Sequence, residues 1–411
     1  MLASNESEAG RKLHVLEIAG NAITGGMEKY VFNLVEHLPG QNFKATCMTP
    51  YESAFTAGLR DLGSEVYITP MDTDPPWRSI QFVTELIWHL KVDLIHAHLP
   101  RAHVLAGLAG RLTGVPVVAT IHGMDITAQE LGISRTTGTH LTVVCQEAYS
   151  QALALGLLPE RLSLIPNGVD TKKYLPSQSG VGFRKKIKIP LSAPLVGFVG
   201  RISWEKGPDQ FVSVAEAVHQ EMPNVHFALV GEGPMETEIR EKIARLGLEH
   251  TIHMAGLWRN TWEVYPAFDI LAQTSRIEGM PFALLEGMSC GKSIVAMGVG
   301  GVTEIVEVGT TGLLSASGDW MGLANALLKL LKEPEQLKAM GAAARERVVE
   351  RFDLENSIKR MANLFRHLAG TNLPDKRLSQ GDLVQDSWPA ASPGQDLVPV
   401  DPGKVFPRAL K

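Results

Sequence analysis

The chain is short of what several functional classes require. It has three cysteines, Cys47, Cys145 and Cys290, in 411 residues. They cannot all pair and they lack metal-ligand spacing, which argues against a disulfide scaffold or a zinc ribbon and for a reducing compartment. No apolar run approaches the ~18 residues of a membrane span. The opening MLASNESEAGRK is polar and lacks the apolar stretch of a signal peptide. A cytoplasmic protein is the expectation, with room for peripheral attachment to the cytoplasmic membrane face. Basic residues are not in excess either: 39 Lys and Arg against 44 Asp and Glu leave a net charge of −5. Nothing global therefore draws the chain to nucleic acid or to acidic lipid.

What is present is rhythm. Short β-branched runs alternate with amphipathic stretches from Leu13 onward. LHVLEIA (13–19) reads as a strand, and MEKYVFNLVEHL (27–38) as a helix with Tyr30, Val31, Leu34, Val35 and Leu38 on one face. KATCMT, EVYIT, VDLIHAH, VPVVATIH, LTVVC and RLSLIP continue the strand series. The rhythm breaks at PNGVDTKKYLPSQSG (166–180), whose Pro, Gly, Asn and Ser predict a linker. It restarts with PLVGFVG, VHFALVG, TIHMAG, DILAQTS and KSIVAMG. Two strand–helix halves of similar size predict an α/β protein with two doubly wound Rossmann-like domains facing across a cleft. The boundaries expected are 12–175 for the first domain, 176–350 for the second and 351–370 for a last helix. Residues 371–411 are rich in Pro, Asp, Gln and Ser without period, and are expected to be disordered.

Three motifs promise chemistry that their context withdraws. The Gly291-Lys292-Ser293 triplet lacks the glycine a phosphate loop needs five residues earlier, where Glu286 stands. Its order is also helix to strand, so Gly291 reads as a helix terminator. Asp72 and Asp74 are spaced to grip a divalent cation. They lie in MDTDPPW, which reads more simply as a solvated turn. His96, His98 and His103 of LIHAHLPRAH invite a metal reading, and alternation puts His96 and His98 on one face of a strand. No acidic or cysteine ligand is obvious beside them, so imidazoles packed at a cleft edge are expected instead, and no metal site is assigned.

Four other sites fit one another. Gly25 and Gly26 follow the first strand and open a helix, where backbone can approach an anion. The full Gly-x-Gly-x-x-Gly of a dinucleotide site is missing. In GFVGRISWEKG (197–207), Arg201 and Lys206 sit across a turn at a strand end, a guanidinium fork and a point charge suited to a diphosphate. In SRIEGMPFALLEGMSCGKSIVA (275–296), Pro281 suits a helix start, so Glu278 precedes the helix and Glu286 lies within it. The two carboxylates can then reach two parts of one extended ligand, with the amides of Gly279 and Met280 between them. Gly298, Gly300 and Gly301 form a further loop-to-helix turn. His122, in TIHGMDI, ends a strand beside Gly123 and is expected in the cleft.

This set resembles glycosyltransferase family 4, the retaining, nucleotide-sugar-dependent enzymes of the GT-B fold, over roughly residues 12–370. GGMEKY, the His-Gly after the fifth strand, PNGVD, GRISWEKG, the Glu-x7-Glu stretch and GVGGVTEIV are similar to that family and stand in its order. One departure is Met280-Pro281 in place of the commoner aromatic–glycine, which is expected to reshape the sugar pocket. The resemblance implies that Glu286 takes the donor ribose hydroxyls and Glu278 hydroxyls of the transferred sugar. It implies that Arg201 and Lys206 hold the diphosphate, approached by Gly25 and Gly26. His122 would contact the sugar near the reacting carbon. The base would lie near Leu257 in GLWRN, largely against backbone, and the last helix, 351–370, would cross back to the first domain.

The expected reaction is transfer of a sugar from a nucleotide-diphosphate donor, most simply a UDP-sugar with a GDP-sugar as the other candidate, to a hydroxyl acceptor. No cofactor or metal is required in this reading, because two cations already face the leaving group. The acceptor would be a glycan or a lipid-linked species bound by the first domain. A nucleotide-sugar epimerase of the same architecture is the alternative enzyme class, and a noncatalytic sugar-nucleotide binder a third.

Overall fold

The computed structural model describes residues 11–23, 25–72 and 74–370. The tail expected to be disordered lies outside them. Among the described residues, thirteen strands form two sheets. The first holds β1 (Leu13–Ala19), β2 (Phe43–Thr49), β3 (Val66–Ile68), β4 (Leu94–His98), β5 (Val117–Ile121), β6 (His140–Val143) and β7 (Leu162–Leu164). The second holds β8 (Leu195–Val199), β9 (His226–Val230), β10 (Ile252–Gly256), β11 (Ile270–Gln273), β12 (Ser293–Met297) and β13 (Gly312–Ser315). The spatial orders are β3-β2-β1-β4-β5-β6-β7 and β10-β9-β8-β11-β12-β13. Every pairing within them is parallel.

Parallel strands need covering on both faces, which explains runs as apolar as LVGFV and SIVAM, the latter wholly buried. The order reverses at β1/β4 in one sheet and at β8/β11 in the other. Such switch points open crevices at the carboxyl ends of the strands. The loops after β1, β8 and β11 carry Gly25-Gly26, Arg201 to Lys206 and Glu278, so topology alone brings the motif residues to the crevices.

The two lobes have separate cores. The second is built on Phe198, Phe211, Phe227, Leu229 and Ile270. The first contains Val15, Leu34, Leu38 and Phe43, together with Ile358, Met361, Leu364 and Phe365 of the last helix, Leu354–Leu368. That helix follows the second sheet in sequence but completes the core of the first lobe.

Two features go beyond the sequence reading. The short strand β13 was not foreseen; GLLS is four residues long behind Gly-Thr-Thr, too brief to show a period. The stretch 166–180 does lie between the two sheets, and it is held in place. Val169 bridges to Asp353, and Tyr174 is buried. Asn167, also buried, donates from Nδ2 to the Met280 carbonyl at 2.7 Å.

The decoy triplet behaves as a helix end. The helix Phe282–Ser289 stops, Gly291 takes φ +72°, and β12 starts at Ser293. All three cysteines are free and buried. Among the described residues, no helix is long and apolar enough to cross a membrane.

Candidate active site

Glu278 lies just before the helix Phe282–Ser289, and Glu286 on its second turn; both are buried. Glu278 is the more heavily held. Lys206 Nζ donates to both its oxygens at 2.7 Å, while Gln273 Nε2 at 2.6 Å and Ser275 Oγ at 2.7 Å donate to Oε1. A buried carboxylate needs this many donors. The cation and the carboxylate that the motif assigns to diphosphate and sugar therefore neutralise each other directly.

Glu286 is paired with a residue of the other lobe. Lys29, on the helix Gly26–His37, forms an ion pair with its Oε1. Thr261 Oγ1 donates to Oε2 at 3.3 Å. The Tyr174 hydroxyl joins both partners, 2.8 Å from Lys29 Nζ and 2.9 Å from Thr261 Oγ1. Thr261 lies in the segment that carries Leu257, which is 52 % exposed.

His122 follows β5, and the second lobe closes directly onto its backbone. A Cβ added to Gly279 would lie 2.3 Å from the His122 carbonyl oxygen. A Cβ on Gly301 would lie 2.1 Å from the Gly279 oxygen. Glycine at 279 and 301 is thus a condition for three loops to stack backbone on backbone, and these residues act by close approach. Met280 is buried and Pro281 caps the following helix. A further contact joins the lobes: Glu304 Oε1 accepts from the amide of Gln146 at 2.7 Å, at the start of the helix Gln146–Ala154.

Arg201 is exposed at the end of β8 and makes no ion pair among the described residues. Its charge reaches Glu28, a buried carboxyl beside Gly25. Burial pushes the Glu28 carboxyl up to about 7, with the Arg201 charge acting the other way. A Cβ added to Gly26 would lie 3.8 Å from the ring of Phe282, the first residue of the Glu286 helix.

The histidines require a correction. An acidic group does stand beside His96 and His98: Glu17, on the neighbouring strand β1. Its Oε2 lies 2.9 Å from His96 Nδ1 and 2.8 Å from His98 Nε2, and all three side chains are fully buried. Their donor atoms lie within 4.8 Å of one another, close enough for a metal, and a hydrogen bond already joins the carboxylate to His98, while His96 Nδ1 only stands close to it. His98 Nδ1 in turn lies 3.0 Å from His122 Nε2. His103 is buried apart from them. Burial, then repulsion from His98 and His96, lower the His122 ring well below the ordinary imidazole range, so it is neutral.

Asp72 and Asp74 are both exposed, as expected of a solvated turn, and Asp72 borders a cavity of the first lobe. A cavity of about 700 Å³ at the carboxyl ends of the first-lobe strands is lined by Asn21, Tyr51, Asp72, Leu99, Arg101 and Gln129. Leu99 adopts φ +74° and ψ +153°, a conformation L-residues rarely hold.

Lys29, Glu17, Glu28, Asn167, Tyr174, Thr261 and Gln273 were not singled out from the sequence. Glu28 and Lys29 lay inside the quoted GGMEKY and could have been weighed as charges at a helix start.

The family model described as Glycosyltransferase Family 4 matches residues 24–173, and that described as Glycosyl transferases group 1 matches residues 182–347. The chain belongs to glycosyltransferase family 4. This family member is 26% identical over 310 residues to the alpha-maltose-1-phosphate synthase of Mycolicibacterium smegmatis, covering 67% of this chain and 79% of that protein. It is 22% identical over 376 residues to the UDP-Gal:alpha-D-GlcNAc-diphosphoundecaprenol alpha-1,3-galactosyltransferase of Escherichia coli, covering 86% and 97%. Among solved structures, HepE of Anabaena in complex with UDP-glucose superposes with a TM-score of 0.77 at 22% identity, covering 86% of this chain and all of that one. The glycosyltransferase has the GT-B fold of these neighbours and uses a nucleotide-sugar donor.

Proposed function

We propose that the enzyme transfers a hexose or N-acetylhexosamine from its UDP-sugar to a hydroxyl of a glycan or lipid-linked acceptor, retaining the anomeric configuration and needing no metal. The observation that carries this reading is the grouping of Glu278 with Lys206, Glu286 with a lobe-crossing lysine, and neutral His122 about one closed cleft. In it, Glu286 receives the ribose hydroxyls and Glu278 those of the sugar. Lys206, released from Glu278 as the donor enters, joins Arg201 on the diphosphate. Negative charge grows there as the glycosidic bond breaks, and prepositioned cations in a cleft shielded from water stabilise it. A neutral imidazole adds no positive charge beside a sugar ring that is itself becoming positive. The departing phosphate takes the acceptor proton.

UDP is favoured over GDP by the ligands of the Anabaena structures and by the galactosyltransferase of Escherichia coli. A relative from Corynebacterium glutamicum is named as GDP-mannose-dependent, so the donor base is the first thing to measure. In the cavity of the first lobe, Asn21, Tyr51 and Arg101 offer hydrogen bonds for the acceptor. The test is a panel of UDP- and GDP-sugars assayed for nucleotide release with and without acceptor sugars and glycolipids, followed by proton NMR of the product anomer. Release from a UDP-sugar that depends on acceptor, with the anomer kept, supports the proposal. Consumption of GDP-sugars alone, an inverted product, or interconversion of the donor without release overturns it.

A further inference from the structure

The buried carboxylate of Glu17 reaches His122 through one imidazole, and the path has a direction. β1 and β4 are parallel neighbours with Glu17 opposite His96 and Ala19 opposite His98. β4 and β5 pair His98 with Thr120, two residues before His122. Side chains two apart on a strand share a face, so Glu17, His96, His98 and His122 gather on one side of the sheet. The Tyr30 ring covers them edge-on, with centroids 5.7 Å from His98 and 4.9 Å from His122. Phe365 packs on His96 at 5.1 Å.

We propose that Glu17 and His98 are positioning residues that hold His122 in the tautomer with a proton on Nε2 and a free lone pair on Nδ1. This rests on the reading of His122 as the residue beside the donor sugar. The argument is one of counting protons. An ionised carboxylate accepts and cannot donate, so the 2.8 Å contact requires a proton on His98 Nε2. A neutral imidazole carries one ring proton, so His98 Nδ1 is an acceptor. The 3.0 Å contact then requires the proton on His122 Nε2. Neutral His122 is left with a lone pair on Nδ1, which has no partner among the described residues.

The protonation states follow from the surroundings. Burial drives the Glu17 carboxyl up, but attraction to His96 beside it and the hydrogen bond from His98 outweigh it and hold it at about 2. Burial, followed by repulsion from His96, lowers His98 to about 4. The consequence is chemical. His122 accepts a hydrogen bond from a hydroxyl of the transferred sugar and cannot donate one. A donor that presents a carboxylate at that place has no proton to give and is discriminated against.

Full-length protein labelled with nitrogen-15 in histidine, without ligand, tests this by long-range proton–nitrogen correlation. His122 is assigned by its loss in His122→Asn. A protonated Nε2 and a bare Nδ1 are expected. The opposite tautomer, or an imidazolium at neutral pH, overturns the proposal whether or not the enzyme turns over. Kinetics separate it from the reading beneath it. His122→Asn must lower kcat; if it does not, His122 is not at the reacting sugar, and that reading falls with the tautomer result intact. Given that loss, His98→Leu is expected to lower kcat by about tenfold, the worth of one hydrogen bond, with UDP affinity unchanged. A wild-type kcat overturns the positioning role. If His98→Leu does not fold, His98→Gln replaces it, with one amide N–H for Glu17 and one oxygen for His122. It is expected to keep the Nε2-protonated form, and its loss with kcat intact would overturn the proposal.

Discussion

Lys29 of the first lobe and Glu286 of the second form an ion pair across the cleft, with the Tyr174 hydroxyl 2.8 Å from the ammonium. The pair occupies the carboxylate assigned to the ribose. Only 4% of the Glu286 side chain is exposed, so on the proposed reading a ribose reaches it by displacing Lys29. Lys29→Met is therefore expected to lower the melting temperature of the ligand-free enzyme, because a buried carboxylate loses its partner. The same change should tighten UDP binding by about tenfold, roughly 1.4 kcal/mol. Calorimetry with UDP decides it; weaker binding would mean that Lys29 serves the bound nucleotide.

The two glutamates should fail differently. Glu286→Gln removes a charged hydrogen bond worth about 1.5–3 kcal/mol. It is expected to weaken both the nucleotide sugar and bare UDP by roughly 10- to 150-fold. Glu278→Gln should leave UDP affinity near normal, since Lys206 is then freer to meet the diphosphate, while kcat falls as sugar contacts that tighten in the transition state are lost. The reverse pattern would mean that the donor lies the other way round.

Chelators should not matter to turnover. With Lys206 and Arg201 at the leaving group, excess EDTA is expected to leave the rate within about twofold. Asp72→Ala should alter the acceptor KM without touching UDP affinity, because Asp72 lines the first-lobe cavity. Loss of activity on chelation with rescue by manganese would defeat the metal-free reading.

The last helix holds the first lobe together. Phe365 is fully buried, 6.0 Å from the Phe43 ring. Phe365→Ala is expected to cost about 3–5 kcal/mol, read as a lower urea midpoint. A chain ending before Phe352 should be insoluble. A soluble truncated product with an unchanged melting temperature would show that the helix contributes nothing to that core.

Acid should destabilise the fold well above the carboxylate range. His98, His103 and His140 are buried and each is pushed down to about 4, first by burial, from an ordinary 6.5. Between those values the unfolded chain binds protons that the folded one refuses. The stability these groups contribute is thus present above pH 6.5 and lost as pH falls toward 4. The slope should approach about 1.4 kcal/mol per pH unit for each histidine. Melting curves at pH 7, 6 and 5 check the sign; a flat profile would mean that these rings are protonated in the folded state.

The sequence by itself determined the two-lobed α/β plan, because parallel strands buried on both faces must be apolar and β-rich, and such runs are visible one by one. It also put forward Glu278, Glu286, Arg201, Lys206 and His122 as candidates, by residue type near strand ends and helix starts and by resemblance to a family whose motifs stand in the same order. Tertiary structure alone decided their partners. Glu17 meets His98 across 81 residues and Asn167 meets Met280 across 113. No local period relates residues that far apart; their contact exists only once β1 lies beside β4 and the second lobe closes on the first. The last helix is a further case: the contact of Phe365 with Phe43 exists only once the chain has returned to the first lobe.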